Sequence, residues 1–244
     1  LASGEAASVQ TLQNSWLIFM LPHSVVAVSI ATAYFTRMSG HASRNDIGAL
    51  RDDLSSSLRG IGLLMVFAAI ALAVVAYPFA RIFESRFENV LAMGNVILAF
   101  LPGLVLFSTL FLVQRVFFAL GDTRTPFYLP RLQSAIFAAA CLASALLPTE
   151  WIAVGIAVAT TVAGGSQAIL ALILVRRRLG GTGGRRVILR HLQYFGLALI
   201  SGGVGIAVLL LLGGLDPHGF AQSGIGPALA SITATGLAMT VVYL

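Results

Sequence analysis

The stretch Arg115-Val-Phe-Phe-Ala-Leu-Gly-Asp-Thr-Arg-Thr-Pro126 concentrates the side chains most able to bind an anion. Guanidinium groups grip phosphate or carboxylate through paired N–H donors. Here Arg115 and Arg124 flank the carboxylate of Asp122, between a glycine suited to stop one helix and a Thr-Pro suited to start the next. Asp122 is placed either to cap the following helix or to pair with Arg115 or Arg124. The stretch therefore reads either as a well-made turn or as a gate between two helices.

Other polar residues interrupt apolar runs: Ser24, Ser29 and Thr32 around Pro22, Gln114 beside Arg115, and Arg131 and Gln133 after Pro130. Thr160, Thr161, Ser166 and Gln167 surround Gly164 and Gly165. Inside a membrane each costs free energy unless it lines a cavity or finds a partner. Serine and threonine can bond their own helix backbone, and the glycines suit close helix packing. Gln167 has neither outlet and is expected to face a cavity.

Catalysis is not expected. There is no GxSxG, HExxH or phosphate-binding glycine loop, and His23, His41, His191 and His218 are scattered, each expected at a surface or interface. Cys141, alone in an apolar run, reads as a packing residue, and neither a metal nor a cofactor is expected.

What positions these residues is a set of membrane-crossing helices. The chain is 58% hydrophobic and 10% charged, whereas a soluble domain carries about a quarter charged residues. Seven spans are predicted: about Ser15–Phe35, Ile61–Phe79, Val90–Leu120, Phe127–Leu147, Trp151–Val175, Leu192–Leu212, and one beginning near Gly226. Pro102 and Gly103 predict a kink or tilt in the third. In residues 45–59, Ile47, Leu50, Leu54 and Leu58 recur at helical spacing while Arg51, Asp52 and Asp53 point elsewhere. This amphipathic helix either lies in the membrane interface or extends the second span.

All 15 basic residues are arginine, and with alternating spans every one except Arg81 and Arg86 falls on one side. The positive-inside rule makes that side cytoplasmic, so the first span enters from outside and Leu244 approaches the cytoplasm. A net charge of +6 distributed in this way is a topology signal and not a nucleic-acid surface. With no initiator methionine or signal peptide, and with Met239–Leu244 still reading as helix interior, the chain is expected to be an internal piece of a longer membrane protein.

Three stretches resemble the MurJ/MviN family of bacterial lipid II flippases, within the MOP exporter superfamily. Leu21-Pro22-His23-Ser24-Val25-Val26-Ala27-Val28-Ser29-Ile30-Ala31-Thr32 is similar to that family's proline-containing eighth helix. Gln114 to Pro126 is similar to its R-x-F-x-A-x-x-D-T-x-T-P turn, and Gly155 to Val175 followed by Arg176-Arg177-Arg178 to its small-residue helix. The Ala- and Arg-rich, lysine-free composition is similar to that of actinobacterial members.

The resemblance implies an all-α integral membrane fold covering helices eight to fourteen. Residues 1–178 would be the second lobe, residues 179–244 an arginine-rich loop and the final two helices, and the first lobe would be missing. It implies alternating access around a cationic cavity that moves an undecaprenyl-linked peptidoglycan precursor across the bacterial cell membrane. Arg115, Gln114, Asp122, Arg124, Arg131, Ser24, Ser29, Thr32 and Gln167 are the cavity or gate candidates. Membrane lipids and cell-wall synthesis or division proteins are the implied partners, with no nucleic acid. Leu17 stands where well-studied members carry an arginine, and Cys141 and Ala145 stand where an Asn and an Asp of a sodium site occur. The remaining alternatives are another MOP exporter, of a lipid-linked oligosaccharide or a drug, and a non-transporting scaffold for envelope synthesis.

Overall fold

The computed structural model describes residues 9–244; the first eight residues of the expected 1–178 unit lie outside that range. Among the described residues every regular element is helical. Helix α1 (Val9–Pro22) passes through a π-turn at His23–Ala27 into α2 (Val28–Ser43). Pro22 supplies no N–H and its ring crowds the carbonyl four residues back, so the backbone widens for one turn instead of breaking.

After Asn45, at φ 55°, Asp46 caps α3 (Ile47–Val74) by accepting the Ala49 N–H at 3.0 Å. The helix then runs unbroken for 28 residues, about 42 Å at the α-helical rise. From Ile47 onward the expected amphipathic stretch is therefore continuous with the helix that holds the second expected span. Asp53 does not point away with Asp52. It is 5% exposed and packs against α2.

A bend at Val75 leads to the short α4 (Ala76–Phe83), so the expected second span ends earlier than Phe79 and turns. The third span is broken as Pro102 demands: α5 (Phe87–Phe100), a 3₁₀ turn at Leu101–Gly103, then α6 (Leu104–Ala119). Thr161 donates across to the carbonyls of Ala99 at 2.9 Å and Phe100 at 3.3 Å, supplying a donor where the ladder is interrupted.

Helices α7 (Arg124–Ser144) and α8 (Ile152–Leu179) form a hairpin, as do α9 (Gly184–Leu211) and α10 (Ile225–Tyr243). The core lies where α2, α3, α6 and α8 meet, around Met38, Leu54, Leu112, Val116, Phe117 and Ala171. The α9–α10 hairpin seats on α3 and is tied by Ser201 donating to the Met239 carbonyl and Tyr243 to the Leu63 carbonyl, each at 2.7 Å. Gly202 and Gly205 admit Ile70 and Met239 where a Cβ would come within 2.8 Å of them.

Among the described residues, six helical segments are long and apolar enough to cross a membrane. They coincide with six of the seven expected spans. The fourth expected stretch does form a helix, the 21-residue α7, but Arg131, Gln133 and two prolines dilute its apolar character.

Candidate functional site

The turn between α6 and α7 is built around Asp122. Gly121, at φ 70°, ends α6 in the left-handed conformation that glycine tolerates best. The Asp122 carboxylate then accepts the backbone N–H groups of Arg124 (3.1 Å) and Thr125 (3.0 Å) and the Thr125 hydroxyl (2.8 Å). These bonds, the Thr125 N–H foremost, hold its carboxyl below the ordinary aspartate value. Of the two roles open for Asp122, its bonds are those of the cap; among the described residues it makes no ion pair with Arg115 or Arg124.

Arg115, one turn before the end of α6, is half-buried. Its guanidinium lies 4.7 Å from the Phe111 ring centre and 5.9 Å from that of Phe35 on α2. Gln114 beside it is also half-buried, while Arg124 is exposed at the start of α7. Arg131 is exposed, with its guanidinium 4.7 Å from the Phe127 ring and 4.9 Å from the Tyr128 ring.

The first-span hydroxyls behave differently. Ser24 donates to the Leu21 carbonyl (3.0 Å) and Ser29 to that of Val25 (2.6 Å), so both are satisfied by their own helix. With Thr32 they lie on the exposed side of the span. Gln167 is only 2% exposed, enclosed among the packed helices and not on that open side. Gln133 of α7 does reach a small recess of about 30 Å³ shared with Trp16 and Phe19 of α1, Phe107 of α6, and Thr160 and Gly164 of α8. The recess joins the first span to the α7–α8 hairpin.

Two polar sites went unseen in the sequence. His23, expected at a surface or interface, is 3% exposed; its Nδ1 lies 3.0 Å from the Ser108 Oγ and its ring sits edge-on to Phe107 and Phe111. The signal was present, a histidine within an apolar run directly after Pro22. The second site is the triad in which Asp53 accepts from Arg37 at 2.7 Å and lies 3.3 Å from His41 Nε2, joining α2 to α3. Its signal was the placement of Asp53 one residue from the apolar stripe. Among the described residues, no group of three or more His, Cys, Asp or Glu side chains could hold a metal ion.

Long apolar helices, a span broken at a proline, and polar side chains on an open helix face define a multi-pass helical membrane protein. The profile described as "Lipid II flippase MurJ" matches residues 1–216. Similar curated proteins are each named "Probable lipid II flippase MurJ". One, from Borreliella burgdorferi, is 28% identical over 136 residues, covering 54% of this chain and 27% of the relative. Another, from Rhizobium tropici, is 26% identical over 182 residues, covering 73% and 34%. A third, from Rhizobium meliloti, is 28% identical over 174 residues, covering 70% and 32%. The fold matches a solved lipid II flippase MurJ in an inward closed conformation, with TM-score 0.71 and 17% identity, over 96% of this chain and 47% of that one. The chain belongs to the MurJ lipid II flippase family. It spans about a third of the length of these curated relatives, or less, and about half of the solved chain.

Proposed function

We propose that this chain supplies the second lobe and the two final helices of a lipid II flippase. Residues 1–178 form the lobe, and residues 179–244 the arginine-rich loop with the helices that follow it. The protein moves a lipid-linked peptidoglycan precursor across the bacterial plasma membrane by alternating access, as a transporter and not an enzyme. The family match over residues 1–216 carries this reading.

The arginine-rich ends of the spans face the cytoplasm, in keeping with the positive-inside rule. The exposed face of the first span and the start of α7 border the cargo path. Arg115 is the leading gate residue: it is half-buried, clasped by aromatic rings and placed where α2 meets α6. A guanidinium in such a setting suits a diphosphate headgroup.

The test is complementation. The full-length protein is expressed in bacterial cells depleted of their own flippase, and lipid II exposed on the outer leaflet is measured. Restored exposure is expected. Normal membrane insertion without restored exposure would overturn the reading.

A further inference from the structure

Between Glu150 and Asp216 the chain has no acidic residue, yet it carries Arg176, Arg177, Arg178, Arg185, Arg186 and Arg190. All lie where α8 ends and α9 begins. Arg176 and Arg185 line a recess of about 400 Å³ together with Thr182, Ile188, Leu189 and the glycines of the connecting loop. Among the described residues, neither guanidinium has a hydrogen-bond or ion-pair partner in the protein.

The recess is built rather than left over. Gly180, Gly181 and Gly183 all adopt positive φ, which bends the loop tightly. From beneath, Arg51 of α3 donates to the Leu179 carbonyl, and Ser55 packs so close to Gly183 that a Cβ there would lie 2.8 Å from its hydroxyl. The loop thus rests on α3, and the Thr182 side of it is buried.

Charge and continuity select the ligand. The recess lies between the end of one helix long and apolar enough to cross a membrane and the start of the next, where the chain passes from apolar helix to arginine-rich loop. Ile188 belongs both to it and to an apolar slot of about 370 Å³ bounded by Val66, Val105, Leu172 and Phe195. A basic recess continuous with an apolar slot matches an amphiphile with an anionic head. Basic pockets between membrane-crossing helices take anionic lipid headgroups.

We propose that the Arg176–Arg185 recess binds the phosphate of an anionic glycerophospholipid of the surrounding leaflet, with an acyl chain along Ile188. The proposal does not rest on the flippase reading, so a failed complementation leaves it untouched.

The test is native mass spectrometry of the purified full-length protein titrated with phosphatidylglycerol, phosphatidylcholine, undecaprenyl diphosphate or inorganic phosphate. Phosphatidylglycerol is expected to bind more tightly than phosphatidylcholine. Arg176→Ala with Arg185→Ala is expected to weaken it roughly tenfold or more. Arg177→Ala with Arg186→Ala, which changes neighbours outside the recess, should leave it within about twofold. Both arginines of the recess are exposed, so folding should survive; Arg176→Lys with Arg185→Lys keeps the charge and should retain most of the binding.

Equal weakening in the two alanine pairs would mean diffuse charge and overturn the proposal. So would equal affinity for the two phospholipids, or competition by inorganic phosphate at the lipid's own concentration. Displacement of phosphatidylglycerol by equimolar undecaprenyl diphosphate would assign the recess to the cargo and overturn it as well.

Discussion

Replacing Asp122 separates a turn that merely joins two helices from one that works as a gate. Asp122→Ala deletes three accepted hydrogen bonds at the start of α7. Loss of a helix-capping side chain costs about 1 kcal/mol. Loss of its charge near the helix N-terminus adds about 0.5 kcal/mol at a half-exposed site. Asp122→Asn keeps an oxygen for the backbone N–H groups and should forfeit only the charge component, about 0.5 kcal/mol. Thermal unfolding of the full-length protein in detergent would read both. The wild-type carboxyl is held below its ordinary value by the Thr125 N–H. Its contribution is therefore complete above the unfolded aspartate value near ~3.9 and is lost as pH falls through the lower folded value. The gap between wild type and Asp122→Asn should be flat from neutral pH to about 5 and close below about 4. An alanine variant as stable as wild type, or a gap that survives strong acid, would refute the argument. Asp122→Asn then tests the gate: it folds almost as wild type does, so a large loss of lipid II exposure in the complementation assay means that the carboxylate acts in transport. Near-normal exposure means that the turn only joins α6 to α7.

Arg115→Ala should lower lipid II exposure in complemented cells more than Arg86→Ala; wild-type behaviour of both would remove Arg115 as a gate residue. Thr161→Val preserves shape but withdraws the donor from the Ala99 and Phe100 carbonyls, and should cost about 1 kcal/mol, read as a lower unfolding midpoint. Arg37→Ala should destabilise more than Asp53→Asn. The first leaves a buried carboxylate with only His41 nearby, whereas the second leaves an arginine already 62% exposed to be solvated; the reverse order of unfolding midpoints would refute the triad's role.

The spans were legible because bilayer thickness demands long apolar runs, and six runs met that demand outright. The fourth was legible as a helix, yet Arg131 and Gln133 make it too polar to stand as a span by composition. A hydropathy window averages over all faces of a helix. It cannot show that Asp53 turns inward towards Arg37, or that His23 lies under Phe107 and Phe111. Nor could it reveal that Ser55, Ser56, Ser57 and Gly60, all modest helix formers, sit inside one unbroken helix; packing against α2 and α9 overrides their propensities. At the candidate site, the Asp122 cap was legible as one of two outcomes because the Gly-Asp-Thr-Arg-Thr-Pro order encodes it locally. The surroundings of Arg115 and Gln167 depend on contacts with distant helices, which spacing does not reveal.

Helix geometry also ranks the three arginines that the sequence left as more than topology signals. Side chains on an α-helix lean towards its N-terminus. Arg131 lies seven positions after the first residue of α7 and leans back over Phe127 and Tyr128, so its charge is carried towards the start of the helix. That is how an arginine snorkels, keeping its stem in apolar surroundings and its head near water. Arg124 already sits at that start. Arg115 enters from the other direction, near the end of α6, and leaning back carries its guanidinium into the bundle, over Phe111 and near Phe35 of the first span. A charge drawn inward is costly unless a cavity, water or an anion meets it. The aromatic faces offset only part of that cost, on the order of 1 kcal/mol. Arg115 is therefore the first of the three that mutagenesis should reach.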